Sequence, residues 1–146
     1  MMPETLTPDV LPAGHKPTPV PNERYVFVYG TLRKGEANDI NRLRPRPDFV
    51  GRSRVPGTLY HLGSYPGLVM NGNTLVEGEV YRILPELECV LDEIEEIHPQ
   101  QSDEYAKQQV TVQVDGIGLM CLVYVINPLR LQGRPVIPGG DWVTGQ

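Results

Sequence analysis

The stretch Arg24-Tyr25-Val26-Phe27-Val28-Tyr29-Gly30-Thr31-Leu32-Arg33-Lys34-Gly35 decides how this chain is read. Its β-branched and aromatic run, Tyr25 to Tyr29, predicts a buried strand that Gly30 stops. A hydroxyl, two cations and a second glycine follow at once in Thr31, Arg33, Lys34 and Gly35. Glycine permits positive φ or a close approach of backbone, so successive N–H groups can be turned toward an anion. Such a loop suits a carboxylate-bearing small molecule. Turn chemistry alone would also account for Gly-Thr at this place. Lys34 has the wrong spacing for a Walker loop, and the three spaced glycines of a dinucleotide fingerprint are missing.

Outward from this stretch, residues 49–60 read as extended, with Pro56-Gly57 marking a bend or bulge. Residues 63–74 are rich in turn formers, and Leu75 to Leu84 reads as the next strand. Pro85 opens a helix with Glu86 and Glu88 in its first turn, where the helix dipole favours acids. Leu87, Val90, Leu91 and Ile94 make one apolar face, and Pro99 is the expected stop. Val110, Val112 and Val114 then alternate with Thr111 and Gln113 before Asp115-Gly116, a two-residue hairpin signal. The return strand, Ile117 to Ile126, is almost continuously apolar and reads as buried on both faces. Strands, one helix and a hairpin, without a βαβ rhythm, predict an α+β fold with a sheet-dominated core, a closed or nearly closed barrel.

Of 15 prolines in 146 residues, six fall before Asn22. That proline-rich segment, residues 1–23, has the composition of a disordered or surface-draped tail, which leaves residues 24–146 as a single domain. It lacks the apolar core of a secretory signal and the pattern of a transit peptide, so a cytoplasmic protein is expected. A net charge of −5 argues against nucleic acid, and no apolar run reaches membrane-spanning length. The arginines at 42, 44, 46, 52 and 54 are broken by Pro45 and Pro47 and read as solvated. Cys89 and Cys121 lack ligand spacing, and His15, His61 and His98 are scattered. Free thiols and no metal centre are expected.

The helix carries Asp92, Glu93, Glu95 and Glu96. At about 100° per residue, Asp92 and Glu96 point away from the apolar stripe, while Glu93 and Glu95 lie on its two flanks. A flank carboxylate can be half-buried, and partial desolvation would raise its pKa toward the range useful for proton transfer. Geometry along the helix does not choose between Glu93 and Glu95. With no Ser or Cys beside an evident base, a single carboxylate shuttling a proton is the economical mechanism for an enzyme of this sequence.

Several motifs, in order, resemble those of the γ-glutamylcyclotransferase-like proteins. They are Val28-Tyr29-Gly30-Thr31-Leu32 with Gly35 and Asn38, Tyr65-Pro66-Gly67-Leu68, Val76-Glu77-Gly78-Glu79-Val80-Tyr81, and Leu91-Asp92-Glu93-Ile94-Glu95. The resemblance spans about residues 25–125 and is closest to the γ-glutamylamine cyclotransferase and bacterial stand-alone branch. It implies a small mixed β-barrel with short flanking helices. It also implies release of an amine from a γ-glutamyl amine or amide as the glutamyl part closes to 5-oxoproline, without metal or cofactor. By the family motif the catalytic acid falls on Glu95 and the substrate loop on Tyr29, Gly30, Thr31 and Leu32, with Gly67, Tyr105 and Lys107 as further pocket positions. Asp39 stands where relatives often have His, and Lys107 where they usually have Arg. Lys keeps the charge and loses the planar fork. The implied partner is a small γ-glutamyl substrate, with the protein a monomer or homodimer. The alternative is a non-catalytic binder of a small carboxylate-bearing metabolite on the same scaffold.

Overall fold

Asp115 and Gly116 both adopt positive φ, 51° and 80°. That is the geometry a tight two-residue hairpin demands. The hairpin joins β5 (Tyr105–Val114) to β6 (Ile117–Ile126), paired from Val114 opposite Ile117 to Tyr105 opposite Ile126. The computed structural model describes residues 24–95 and 104–145, so the expected proline-rich tail and Pro99 lie outside the described residues. β1 (Arg24–Val28) runs parallel to β6 and antiparallel to β4 (Thr74–Ile83). β2 (Asp48–His61) pairs with β4 and with β3 (Pro66–Met70), giving the order β3-β2-β4-β1-β6-β5.

This mixed sheet curls into a half-barrel. A bulge shifts the register of β2 between Phe49 and Gly51, and bulges sharpen local bend and twist. The rolled sheet brings β2 against β5, where the Ser53 hydroxyl donates to the Gln113 carbonyl. Small residues permit this approach. A Cβ on Gly51 would lie 2.6 Å from Val114 Cγ1, and where β3 meets β6 one on Gly67 would lie 2.8 Å from Ile126 Cβ.

Alternation along the strands divides the core in two. Inside the curl, Phe27, Val55, Leu59, Leu68, Val80, Val112, Val123 and Trp142 pack together. On the other face, Val26, Val28, Tyr81, Leu122 and Tyr124 are covered by α1 (Pro85–Ile94) and by Leu32 and Ile40 of the loop after β1. A short 3-10 turn, Ile40–Arg42, drops Ile40 into this second core. The described residues close with one helical turn, α2 (Trp142–Gly145).

Several local expectations need correction. The turn-rich segment holds β3, a five-residue strand whose burial on β2 overrides its weak local pattern. β5 starts at Tyr105, earlier than the alternation around Val110 suggests. β6 is not buried along its whole length, since Ile117 and Met120 near the hairpin are exposed. The helix stops at Ile94, with Glu95 as its C-cap.

The helix face also differs. Asp92, expected to point to solvent, is buried together with Leu87 and Leu91, while Glu93 is exposed. The buried stripe is therefore rotated by roughly 60° toward the acidic flank. The cause lies on the strands beneath. Tyr124 of β6 donates its hydroxyl to Asp92 Oδ1 at 2.7 Å, and Lys107 of β5 donates to Asp92 Oδ2 at 3.0 Å and Glu88 Oε2 at 2.6 Å. A buried carboxylate with such partners is tolerated where an unpaired one would not be.

Candidate active site

The end of β1 opens onto a cavity of about 320 Å³. Tyr29, Gly30, Thr31 and Leu32 form one wall, Ile94 and Glu95 at the end of α1 another, and Ser64, Tyr65, Pro66, Glu104, Tyr105 and Tyr124 enclose the remainder. Glu95 arrives there because α1 ends at Ile94 and its cap residue, still bonded through its N–H to the Leu91 carbonyl, turns toward the loop. Glu93 is exposed and does not line the cavity.

The loop after β1 is held by a succession of backbone bonds. Arg33 N–H donates to Gly30 carbonyl at 3.0 Å, Asn38 N–H to Thr31 at 2.8 Å, and Ile40 N–H to Leu32 at 2.9 Å. These bonds use the carbonyls of Gly30, Thr31 and Leu32. Among the described residues, the N–H groups of Thr31 and Leu32 donate to no other group. Asn38 Nδ2 donates to Thr31 Oγ1 at 3.2 Å, leaving the hydroxyl proton of Thr31 available to a ligand. Gly30 matters here through close approach: a Cβ on it would lie 2.5 Å from Pro66 Cγ at the start of β3.

Four tyrosines line the cavity, each with its hydroxyl committed. Tyr29 donates to the Tyr124 carbonyl at 2.6 Å and accepts from Leu68 N–H at 3.3 Å. Tyr105 donates to the Pro66 carbonyl at 2.6 Å, and Tyr65 to Glu104 Oε2 at 2.7 Å. Burial pushes the hydroxyls of Tyr29, Tyr105 and Tyr124 well above the usual tyrosine range, and the nearby charge of Glu95 adds to this in all three. These phenols stay protonated at neutral pH and act as hydrogen-bond donors, not as bases.

Two sequence-expected pocket positions do not line the cavity. Lys107 is bound to Glu88 and Asp92 on the α1 side, where it anchors the helix. Gly67 serves packing, its α-carbon facing Ile126 and Leu62. Conversely, Tyr65, Glu104, Tyr124 and Asn38 line the cavity without having been singled out as site residues. A tyrosine within the otherwise aliphatic end of β6 was the available signal for Tyr124. Glu104 carried only its adjacency to Tyr105. Asp39, the other departure, accepts from Gly35 and Asn41 N–H groups and caps the 3-10 turn.

Among the described residues no group of three or more His, Cys, Asp or Glu is arranged to hold a metal ion. No described helix is long and apolar enough to cross a membrane.

The family model for gamma-glutamyl cyclotransferase, AIG2-like, matches residues 26–144. The chain belongs to that family. Within this AIG2-like family, it is 31% identical over 119 residues to the gamma-glutamylcyclotransferase family protein YtfP of Escherichia coli K12, covering 81% of this chain and 95% of that one. It is 36% identical over 83 residues to a putative gamma-glutamylcyclotransferase of Vibrio cholerae, covering 51% of this chain and only 64% of that relative's length. The crystal structure of an AIG2-like protein from Mus musculus superposes with a TM-score of 0.63 at 26% identity, covering 75% of this chain and 83% of that one. The curled six-stranded sheet with few helices is thus the fold of this family's solved members.

Proposed function

We propose that this protein is a γ-glutamyl cyclotransferase that releases an amine from a γ-glutamyl amine or amide and forms 5-oxoproline. The observation that carries the reading is the shared cavity of Glu95 and the Tyr29–Leu32 loop. Family membership supports the reaction class, and the cavity's chemistry supports the division of labour.

In this reading the substrate's α-carboxylate and γ-carbonyl lie against the loop, within reach of the N–H groups of Thr31 and Leu32 and the Thr31 hydroxyl. The substrate's α-ammonium cannot attack until it loses a proton, and Glu95 accepts it. The freed amine attacks the γ-carbonyl carbon, forming the ring C–N bond and an oxyanion that the loop donors stabilise. The tetrahedral intermediate collapses with cleavage of the original amide C–N bond as Glu95 gives its proton to the departing amine, and Glu95, again a carboxylate, takes the second proton from the ring nitrogen to leave the neutral lactam. Attack is intramolecular, so holding the folded-back conformer supplies much of the acceleration. The scheme calls on no metal or cofactor.

The test is to offer the purified protein γ-glutamyl-ε-lysine, γ-glutamyl amino acids and glutathione, measuring 5-oxoproline and free amine together. Equimolar release from at least one donor is expected. Silence with every donor, with 5-oxoproline still binding, would leave a non-catalytic metabolite binder.

A further inference from the structure

Arg33, the cation that follows the loop, is buried. Its side chain is only 5% exposed and lines no part of the cavity. Its Nε donates to Glu79 Oε2 at 3.2 Å, and its Nη1 donates to Asp141 Oδ1 at 2.9 Å. Glu79 sits directly across from Val28, the last residue of β1, so the strand register delivers its carboxylate to the root of the loop. The same carboxylate accepts from Lys34 N–H at 3.0 Å and from the Tyr81 hydroxyl at 2.8 Å. Asp141 belongs to the C-terminal segment and accepts from Val143 N–H at 3.0 Å. That segment is fastened to β4, where Glu77 N–H donates to the Gly140 carbonyl at 2.8 Å, and into the core by buried Trp142.

We infer that Glu79 and Asp141, acting through Arg33, are positioning residues that set the conformation of the substrate loop. The inference rests on the cyclotransferase reading of that loop. A guanidinium is a planar fork whose two ends fix direction as well as distance. Here one end is held by the sheet and the other by the C-terminal segment. Arg33 N–H closes the turn onto the Gly30 carbonyl, so displacing Arg33 displaces Gly30, Thr31 and Leu32 with it. A buried cation robbed of one carboxylate is driven to find another partner or water, because leaving it unpaired is costly. The loop that carries the ligand donors is the part free to follow. The C-terminal segment, more than a hundred residues away in sequence, thereby helps shape the site.

Asp141→Asn and Arg33→Lys test this, the first at a partly exposed side chain that folding should tolerate. Backbone amide resonances of Gly30 to Lys34 should shift in both variants, and the resonance changes on titrating 5-oxoproline should weaken. At a temperature where circular dichroism shows each variant folded, kcat/KM should fall about tenfold or more, since sub-ångström errors in placing donors are expensive. The fall should appear in both KM and kcat, because the loop donors hold the substrate's α-carboxylate and the developing oxyanion alike, while the pH dependence of kcat should stay that of the parent. Unmoved loop amides, or folded variants with kcat/KM within twofold of the parent, would overturn the inference and reduce the cluster to a stability element. Loop amides that move in a protein that turns over no donor would remove the cyclotransferase reading and leave the latch on the loop standing.

Discussion

The Tyr29 hydroxyl donates to the Tyr124 carbonyl at 2.6 Å, joining the residue after β1 to β6 by a bond that crosses the interior. The same oxygen accepts from Leu68 N–H on β3, so one phenol beside the cavity ties the end of β1 to β6 and β3. Tyr29→Phe removes both bonds and leaves a buried carbonyl and a buried N–H short of a partner. A loss of about 1–3 kcal/mol is expected. Chemical denaturation of the variant would check it, and a change below about 0.5 kcal/mol would show that the two groups find other partners.

Gly30→Ala should damage folding as well as ligand binding. The added methyl would meet both Pro66 Cγ and Cδ, at 2.5 and 2.8 Å, so β3 or the loop must give way. Overpacking of this kind costs about 1–3 kcal/mol. A melting curve set beside 5-oxoproline binding would separate the two effects, and an unchanged melting temperature would mean the loop yields instead of the strand.

Glu95→Gln should abolish 5-oxoproline release, by about 100-fold or more, whereas Glu93→Gln should leave it nearly unchanged. Glu95 lines the cavity and Glu93 is exposed on the far side of the helix. Comparable loss in both variants would point to a general effect of helix charge and away from a proton shuttle.

Lys107→Met should cost stability without loss of turnover. Lys107 holds Glu88 and Asp92 at the α1 interface, and removing it strands buried Asp92 with only the Tyr124 hydroxyl. The expected cost is about 1–3 kcal/mol, below that of a fully buried pair because the side chain is 27% exposed. Parallel denaturation and kinetics would decide, and a large fall in kcat/KM at full folding would return Lys107 to the site.

Acid should loosen the loop anchors. Burial pushes Asp141 up, but the hydrogen bond and charge of Arg33, with the Val143 and Thr144 N–H groups, hold its carboxyl below the ordinary aspartate range. Burial likewise opposes, and the Gly35 and Asn41 donors with Arg42 outweigh, so Asp39 is lowered too. For a carboxyl depressed on folding, the stabilisation is fully present above the unfolded value near pH 4 and drains away as pH falls through the folded value. Asp39→Asn and Asp141→Asn should therefore each flatten the fall of stability below about pH 4. An acid slope identical to the parent's would refute it.

What the amino-acid order determined by itself was local. Alternation and β-branching announced β1, β4 and the β5–β6 hairpin, and Asp115-Gly116 specified the turn, because these depend on neighbours in the chain. Gly30-Thr31 after an apolar run marked the loop, and the spacing of Leu87, Leu91 and Ile94 marked the helix. Resemblance to a family singled out one acid among several, since helical geometry left Glu93 and Glu95 tied. What tertiary structure decided was which side of each element faces what. The buried stripe of α1 is set by Lys107 and Tyr124 on distant strands, so Asp92 could not be recognised as buried from its own helix. β3 owes its existence to pairing with β2, and Arg33 is buried only because carboxylates 46 and 108 residues further along the chain converge on it. Propensity is a property of a few adjacent residues, whereas burial of a charge depends on partners that only the curled sheet brings together.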